Sequence, residues 1–308
     1  MGIERCVKRY RRLAGSACRE RPGSVRTAPC DRIGTVAIPC HDAVVDAHGG
    51  LVDAGDVDLH VLDTGGDGPA LMLLHGLAGY AAEWTATVDA FAAGHRVVAF
   101  DQRGHGRSTT RPADVSREAY VRDVAVVADR LGLTDLTLVG QSMGAHTALL
   151  TAAEHGDLVR RLVLVEGGVG GGGRSVTEQV AGLLRGWPLP FADRESAAAW
   201  FGGGPVGRAW AKGLRHDADG LRPRFDVEVL LRAVDAVHAE ASWDAWRGVS
   251  APTLLVRGSA GSLAPAETDR MLAENGHARL VTVDGAGHDV HLEAADAFHE
   301  HLRTFLAG

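Results

Sequence analysis

The chain has 308 residues, long enough for a substantial buried core, with 45 % hydrophobic residues, 32 basic against 39 acidic side chains and a formal net charge of −7. That balance argues against nucleic acid or an anionic membrane as partner, and no apolar run approaches the ~20 residues that a transmembrane helix needs. A small neutral or modestly polar substrate suits the composition better.

All four cysteines, Cys6, Cys18, Cys30 and Cys40, fall early in the chain at spacings that match no zinc pattern. Residues 1–32 hold nine Arg or Lys against three acids, with Pro and Gly interspersed and no periodic apolar face. Residues 1–43 therefore read as a disordered basic extension. The stretch RLAGSAC is too short and too polar for the apolar segment of a signal peptide, so a cytoplasmic location is expected.

Folded character begins near Val44. Val57–Asp63 alternates as a half-buried strand does, which suits an edge position. Thr64–Pro69 is a turn by composition, and its Gly65-Gly66-Asp67-Gly68 lacks the Lys-Ser or Lys-Thr that would make it a phosphate loop. Ala70–Leu74 is a continuous apolar run, as in a strand covered on both faces, and leads into His75-Gly76-Leu77-Ala78-Gly79. A helix pattern over Ala81–Ala92, a strand over Arg96–Phe100 and the turn Asp101–Ser108 follow. Arg117–Leu131 is amphipathic at helical spacing through Tyr120, Val121, Val124, Val127 and Leu131.

Leu136–His146, LTLVGQSMGAH, reads as strand, sharp turn and helix. A further buried strand, Arg161–Val165, ends at Glu166. Repeated strand–helix–strand order predicts an α/β fold, a mostly parallel sheet with helices on both faces and reactive groups at the carboxyl ends of its strands. The order breaks at Gly167–Gly173. Residues 167–248 look helical, broken by Pro188, Pro205 and Pro223, and hold Trp187, Trp200, Trp210, Trp243 and Trp246. An inserted helical cap accounts for that concentration of amphipathic rings. Strands at Pro252–Val256 and Arg279–Val283 and a helix at Ala294–Phe305 close the chain, so the core is expected over 44–166 and 249–308.

Gly140-Gln141-Ser142-Met143-Gly144 is a G-x-S-x-G elbow, in which a strained serine projects from the turn and both flanks must lack a Cβ. A serine hydroxyl becomes nucleophilic only when a base takes its proton. His288, in Asp284-Gly285-Ala286-Gly287-His288 between the last strand and the last helix, is the candidate base. His288, His291, His299 and His301 cluster in sequence, but no H-E-x-x-H or other zinc spacing occurs, so neither metal nor organic cofactor is implied.

With these residues in order the chain resembles the α/β-hydrolase superfamily over roughly residues 46–308. The resemblance rests on His75-Gly76 after the third strand, Asp101–Ser108 after the fourth, the elbow after the fifth and Gly285-Ala286-Gly287-His288 after the eighth. It implies an eight-stranded sheet with the second strand antiparallel and a cap inserted after the sixth. It also implies an oxyanion site at the backbone N–H groups of Leu77 and Met143. The commonest family pattern places an aspartate after the seventh strand, and here Arg257-Gly258-Ser259-Ala260-Gly261-Ser262 holds no acid. Some members, resembling haloalkane dehalogenases or zearalenone-type lactonases, use an acid after the sixth strand, where Glu166 stands. Glu267 or Asp269 folding back is the alternative. Asp101–Ser108 reads as a structural, arginine-braced turn, and His105 receives no role.

The expected activity is hydrolysis of an ester or lactone of a small to medium, mainly apolar substrate through an acyl-enzyme at Ser142. A serine nucleophile argues against the epoxide hydrolases and dehalogenases of the superfamily, which use aspartate. The competing class is a hydrolase-fold protein with a non-hydrolytic role, such as a cyclase, an acyltransferase, a cofactor-free haloperoxidase or a ligand binder.

Overall fold

A computed structural model describes residues 48–308. The basic extension read over residues 1–43, with its four cysteines, lies outside the described residues. The main sheet has eight strands: β1 (His48–Asp53), β2 (Asp58–Asp63), β3 (Ala70–Leu74), β4 (Arg96–Phe100), β5 (Leu136–Gln141), β6 (Val159–Val165) and, after the insert, β9 (Thr253–Gly258) and β10 (Ala278–Val283), in the spatial order β1-β2-β4-β3-β5-β6-β9-β10. β2 runs antiparallel to both of its neighbours, and from β4 to β10 every pairing is parallel.

Residues 57–63 are not at the edge. β1 pairs with residues 58–63, Gly50 opposite Val61 and Val52 opposite Leu59, and takes the edge itself. The alternation of β2 reflects one covered and one more open face, and strand alternation reports faces rather than edges.

Successive side chains of a strand point to opposite faces, and the core divides accordingly. Met72 and Leu74 of β3 face one layer with Leu138, Leu164 and Leu255, packed against α2 (Arg117–Leu131) and α3 (Met143–Glu154). Leu71 and Leu73 face the other layer with Val139, Val163 and Val256, packed against α1 (Thr85–Phe91) and the C-terminal helix (Ala295–Ala307). Burial on both faces is the reason β3 and β5 are uninterrupted by exposed positions.

Between β6 and β9 the chain forms α4 (Arg174–Arg185), α5 (Arg194–Trp200), α6 (Gly204–Gly213), the hairpin β7 (Arg215–Asp217) with β8 (Gly220–Arg222), α7 (Val227–His238) and α8 (Trp243–Gly248). The hairpin interrupts a stretch whose pattern is helical, broken by prolines; three residues per strand are too short to show a period. Trp187, Trp200 and Trp210 build the insert's own core with Phe191, Phe201 and Leu221. Trp243 and Trp246 instead belong to the core beside the sheet, where Trp246 is fully buried and donates from Nε1 to the Met271 carbonyl at 2.9 Å. Among the described residues, no helix is long and apolar enough to cross a membrane.

Candidate active site

β3, β5 and β6 are neighbours in the sheet and end at one level, which brings His75-Gly76, Ser142 and Glu166 together. Ser142 stands between β5 and α3 at φ 53° and ψ −116°, a conformation costly for a side chain with a Cβ and found where surrounding structure over-determines it. Its N–H donates to the Val165 carbonyl at 2.9 Å, tying the elbow to the end of β6. The flanking glycines answer close approaches. A Cβ on Gly140 would lie 2.2 Å from the Gly144 carbonyl oxygen, and one on Gly144 would lie 2.5 Å from the His75 carbonyl oxygen.

Glu166 follows β6 directly, also at positive φ, 48°. Its carboxylate is almost fully enclosed, and the loop after β9 closes around it. Gly258 N–H donates to Oε1 at 2.8 Å, while Ser262 N–H and Leu263 N–H donate to Oε2 at 2.6 and 3.1 Å. The loop that carries no acid thus holds one, and a Cβ on Gly261 would sit 2.1 Å from Oε1.

His288 Nδ1 lies 3.3 Å from Glu166 Oε2 and 2.7 Å from Ser262 Oγ, and Ser262 Oγ is itself 3.2 Å from Glu166 Oε2. These three side chains close a triangle at the Nδ1 edge of the imidazole. Burial alone would raise the Glu166 carboxyl, yet the bond to His288, its charge and the backbone donors outweigh burial and hold the group below its ordinary range. For His288 burial lowers the pKa, and the Glu166 hydrogen bond with the charges of Asp289, Glu166 and Glu293 more than reverses that, leaving it raised. Of the alternative acids, Glu267 Oε1 accepts from the Val169 N–H at 3.3 Å and Asp269 is exposed.

Ser142, Glu166, His288, Leu77 and Met143 line one cavity of about 460 Å³ roofed by the insert. Gly76 crosses the elbow so closely that a Cβ there would approach Ser142 Cβ to 3.3 Å. Leu77 packs against the buried cluster that holds Met143, and the N–H groups of both residues have no acceptor among the described residues.

Asp101–Ser108 forms a tight turn around buried charge. Asp101 accepts from Ala81 N–H at 2.6 Å and Arg107 N–H at 2.7 Å, and Arg103 is fully buried between Asp123 and Asp56 at 2.7 and 3.0 Å. His105 is buried against His75, ring centroids 4.9 Å apart, and burial pushes its pKa down to about 3. The C-terminal histidines diverge: His291 stacks on Trp84 at 4.2 Å, and His299 Nε2 meets Thr87 Oγ1 at 3.1 Å. Among the described residues no group of His, Cys, Asp or Glu is placed to hold a metal ion.

Ser262 is the residue that sequence reading passed over. Its one signal was a hydroxyl in the loop where the commonest pattern carries an acid, which by itself does not separate a partner of the histidine from an ordinary turn residue.

Comparison with known proteins agrees with this architecture. Residues 69–295 match the family model described as the alpha/beta hydrolase fold. The chain is 30 % identical over 267 residues to N-formylmaleamate deformylase of Pseudomonas putida, spanning 84 % of this chain and 96 % of that protein. It is 28 % identical over 262 residues to an sn-1-specific diacylglycerol lipase of Mus musculus, spanning 80 % and 84 %. The crystal structure of E-2-(acetamidomethylene)succinate hydrolase superposes with a TM-score of 0.78 at 24 % identity, covering 85 % of this chain and 100 % of that one. With a family match over most of its length and the sheet order, elbow and histidine loop in their places, the chain belongs to the alpha/beta-hydrolase family.

Proposed function

We propose that this hydrolase cleaves an ester or lactone of a small to medium, mainly apolar substrate through an acyl-enzyme at Ser142. The observation that carries the reading is the Glu166–Ser262–His288 cluster beside a strained serine in one cavity. With Nδ1 committed to Glu166 and Ser262, the other ring nitrogen, Nε2, is the one left for the Ser142 proton.

Ser142 Oγ attacks the carbonyl carbon as His288 Nε2 takes its proton, and Glu166 offsets the imidazolium charge. The carbonyl oxygen, now an oxyanion, accepts from the Leu77 and Met143 N–H groups. His288 returns the proton to the leaving oxygen, and the alcohol departs or, in a lactone, remains on the acyl chain. Water then attacks the acyl-enzyme by the same sequence in reverse roles. The segment over residues 167–248 acts as a cap, with α4 supplying Val176, Val180 and Leu183 to an apolar cavity wall.

The test is labelling by an alkyl fluorophosphonate followed by peptide mapping, beside turnover of aryl esters of increasing acyl length and a set of lactones. Modification of Ser142 with ester or lactone hydrolysis is the expected result. Absence of labelling on wild-type protein removes the serine-hydrolase reading and leaves a non-hydrolytic role.

A further inference from the structure

The charges on the cavity wall say something about the substrate that the nucleophile does not. The described residues lining it include three acids, Glu166, Glu267 and Asp289, and no Lys or Arg. Of the three histidines there, His146 is pushed down to about 3 by burial and then by Arg117, and His238 is lowered chiefly by burial, so both are neutral, while His288 is paired with Glu166 at 3.3 Å. Arg117 itself lies behind the wall, its guanidinium hydrogen-bonded to Thr147 Oγ1 and stacked over Tyr120 at 4.5 Å.

Two acceptors on that wall lack partners. Gln179, on the face of α4 that lines the cavity, has a buried Oε1 with no hydrogen-bond partner. Glu267 uses Oε1 on the Val169 N–H, and its Oε2 has no partner among the described residues. For the buried Gln179 oxygen the lack of a donor is costly, and a ligand hydroxyl or amide N–H would relieve it.

We propose that this cavity selects uncharged substrates that carry a hydrogen-bond donor, received by Gln179 and Glu267, and rejects carboxylates. The inference rests on the acyl-enzyme reading of Ser142. It separates this chain from the similar Pseudomonas putida deformylase, named for N-formylmaleamate, an anionic substrate. A carboxylate entering here would exchange water for a wall with three acids and no Lys or Arg, its one titrating cation, His288, already paired with Glu166.

Three fluorophosphonates of equal chain length, ending in methyl, hydroxyl or carboxylate, test this through their rates of Ser142 labelling. The hydroxyl probe is expected to react about tenfold faster than the methyl probe, the worth of one well-made hydrogen bond. The carboxylate probe is expected to lag the methyl probe by on the order of 100-fold. Gln179→Leu should erase the hydroxyl preference, and Glu267→Gln should narrow the carboxylate gap about tenfold, both read as ratios within one variant. A carboxylate probe that labels as fast as the methyl probe overturns the proposal, as does a rate order unmoved in both variants. Labelling by none of the three instead removes the acyl-enzyme reading itself.

Discussion

At the scale of single residues the site turns on how one imidazole is held. Glu166 meets His288 Nδ1 at 3.3 Å and Ser262 Oγ meets it at 2.7 Å, so the shorter contact is to the neutral group and the charge stands behind it. Glu166→Gln keeps the shape and removes the charge, and kcat is expected to fall by about 10³–10⁴-fold. The pH profile supplies a second reading. In the proposed mechanism a neutral His288 is the base, so kcat/KM is expected to fall as pH drops through its pKa, which in the wild type lies above the ordinary 6.5. In Glu166→Gln the acid limb should move to lower pH, because the carboxylate that favours the imidazolium is gone. Ser262→Ala should lower kcat about tenfold with KM little changed, the loss of one hydrogen bond that orients the base, measured by steady-state kinetics on the same ester.

At the scale of elements the turn after β3 shows how the loop that carries Leu77 is braced. Tyr80 leads into a 3-10 turn, Ala81–Trp84, whose Glu83 accepts from the Tyr80 N–H at 3.3 Å and lies 3.4 Å from His291 Nε2. Burial is the main reason that the Glu83 carboxyl is pushed up to about 7, and burial likewise pushes His291 down to about 4, so the pair is neutral rather than ionic near pH 6. A carboxyl with its folded pKa above its unfolded one binds more protons when folded, and stability falls as pH rises from 4.5 to about 7. Glu83→Gln should therefore be more stable than the wild type at pH 8, by up to a few kcal/mol at ~1.4 kcal/mol per pH unit. The gain should shrink toward pH 4.5, as thermal unfolding across pH would record.

At the scale of the molecule, the described chain combines a two-faced sheet core with an insert whose own apolar cluster rests on Leu77 and Ala78 of the HGLAG loop. Trp246 marks where the two parts meet in sequence but belongs to the sheet side. Its truncation to Ala is expected to cost about 3–5 kcal/mol in denaturant unfolding, as for other fully buried tryptophans, with the Met271 carbonyl left without its donor. The cavity belongs to both parts, with Ser142, Glu166, His288 and Glu267 from the sheet side and an apolar wall with Gln179 from α4.

The sheet elements were legible along the chain because strands buried on both faces must be uninterrupted apolar runs and amphipathic helices must repeat near 3.6 residues. Arg96–Phe100 and Arg117–Leu131 emerged at the bounds read from pattern alone. The elbow was legible for a related reason, since a side chain held at positive φ requires neighbours without a Cβ, and composition records that demand. Three things were decided only in the tertiary structure. β1 covers the edge of β2, because an alternating strand does not state what lies beside it. Trp243 and Trp246 turn to the sheet rather than to the other tryptophans, because a ring packs wherever the chain path leaves room. Ser262 joins Glu166 and His288 across 96 and 26 residues, because hydrogen bonds between loops depend on where strands end in space, and no local spacing encodes that meeting.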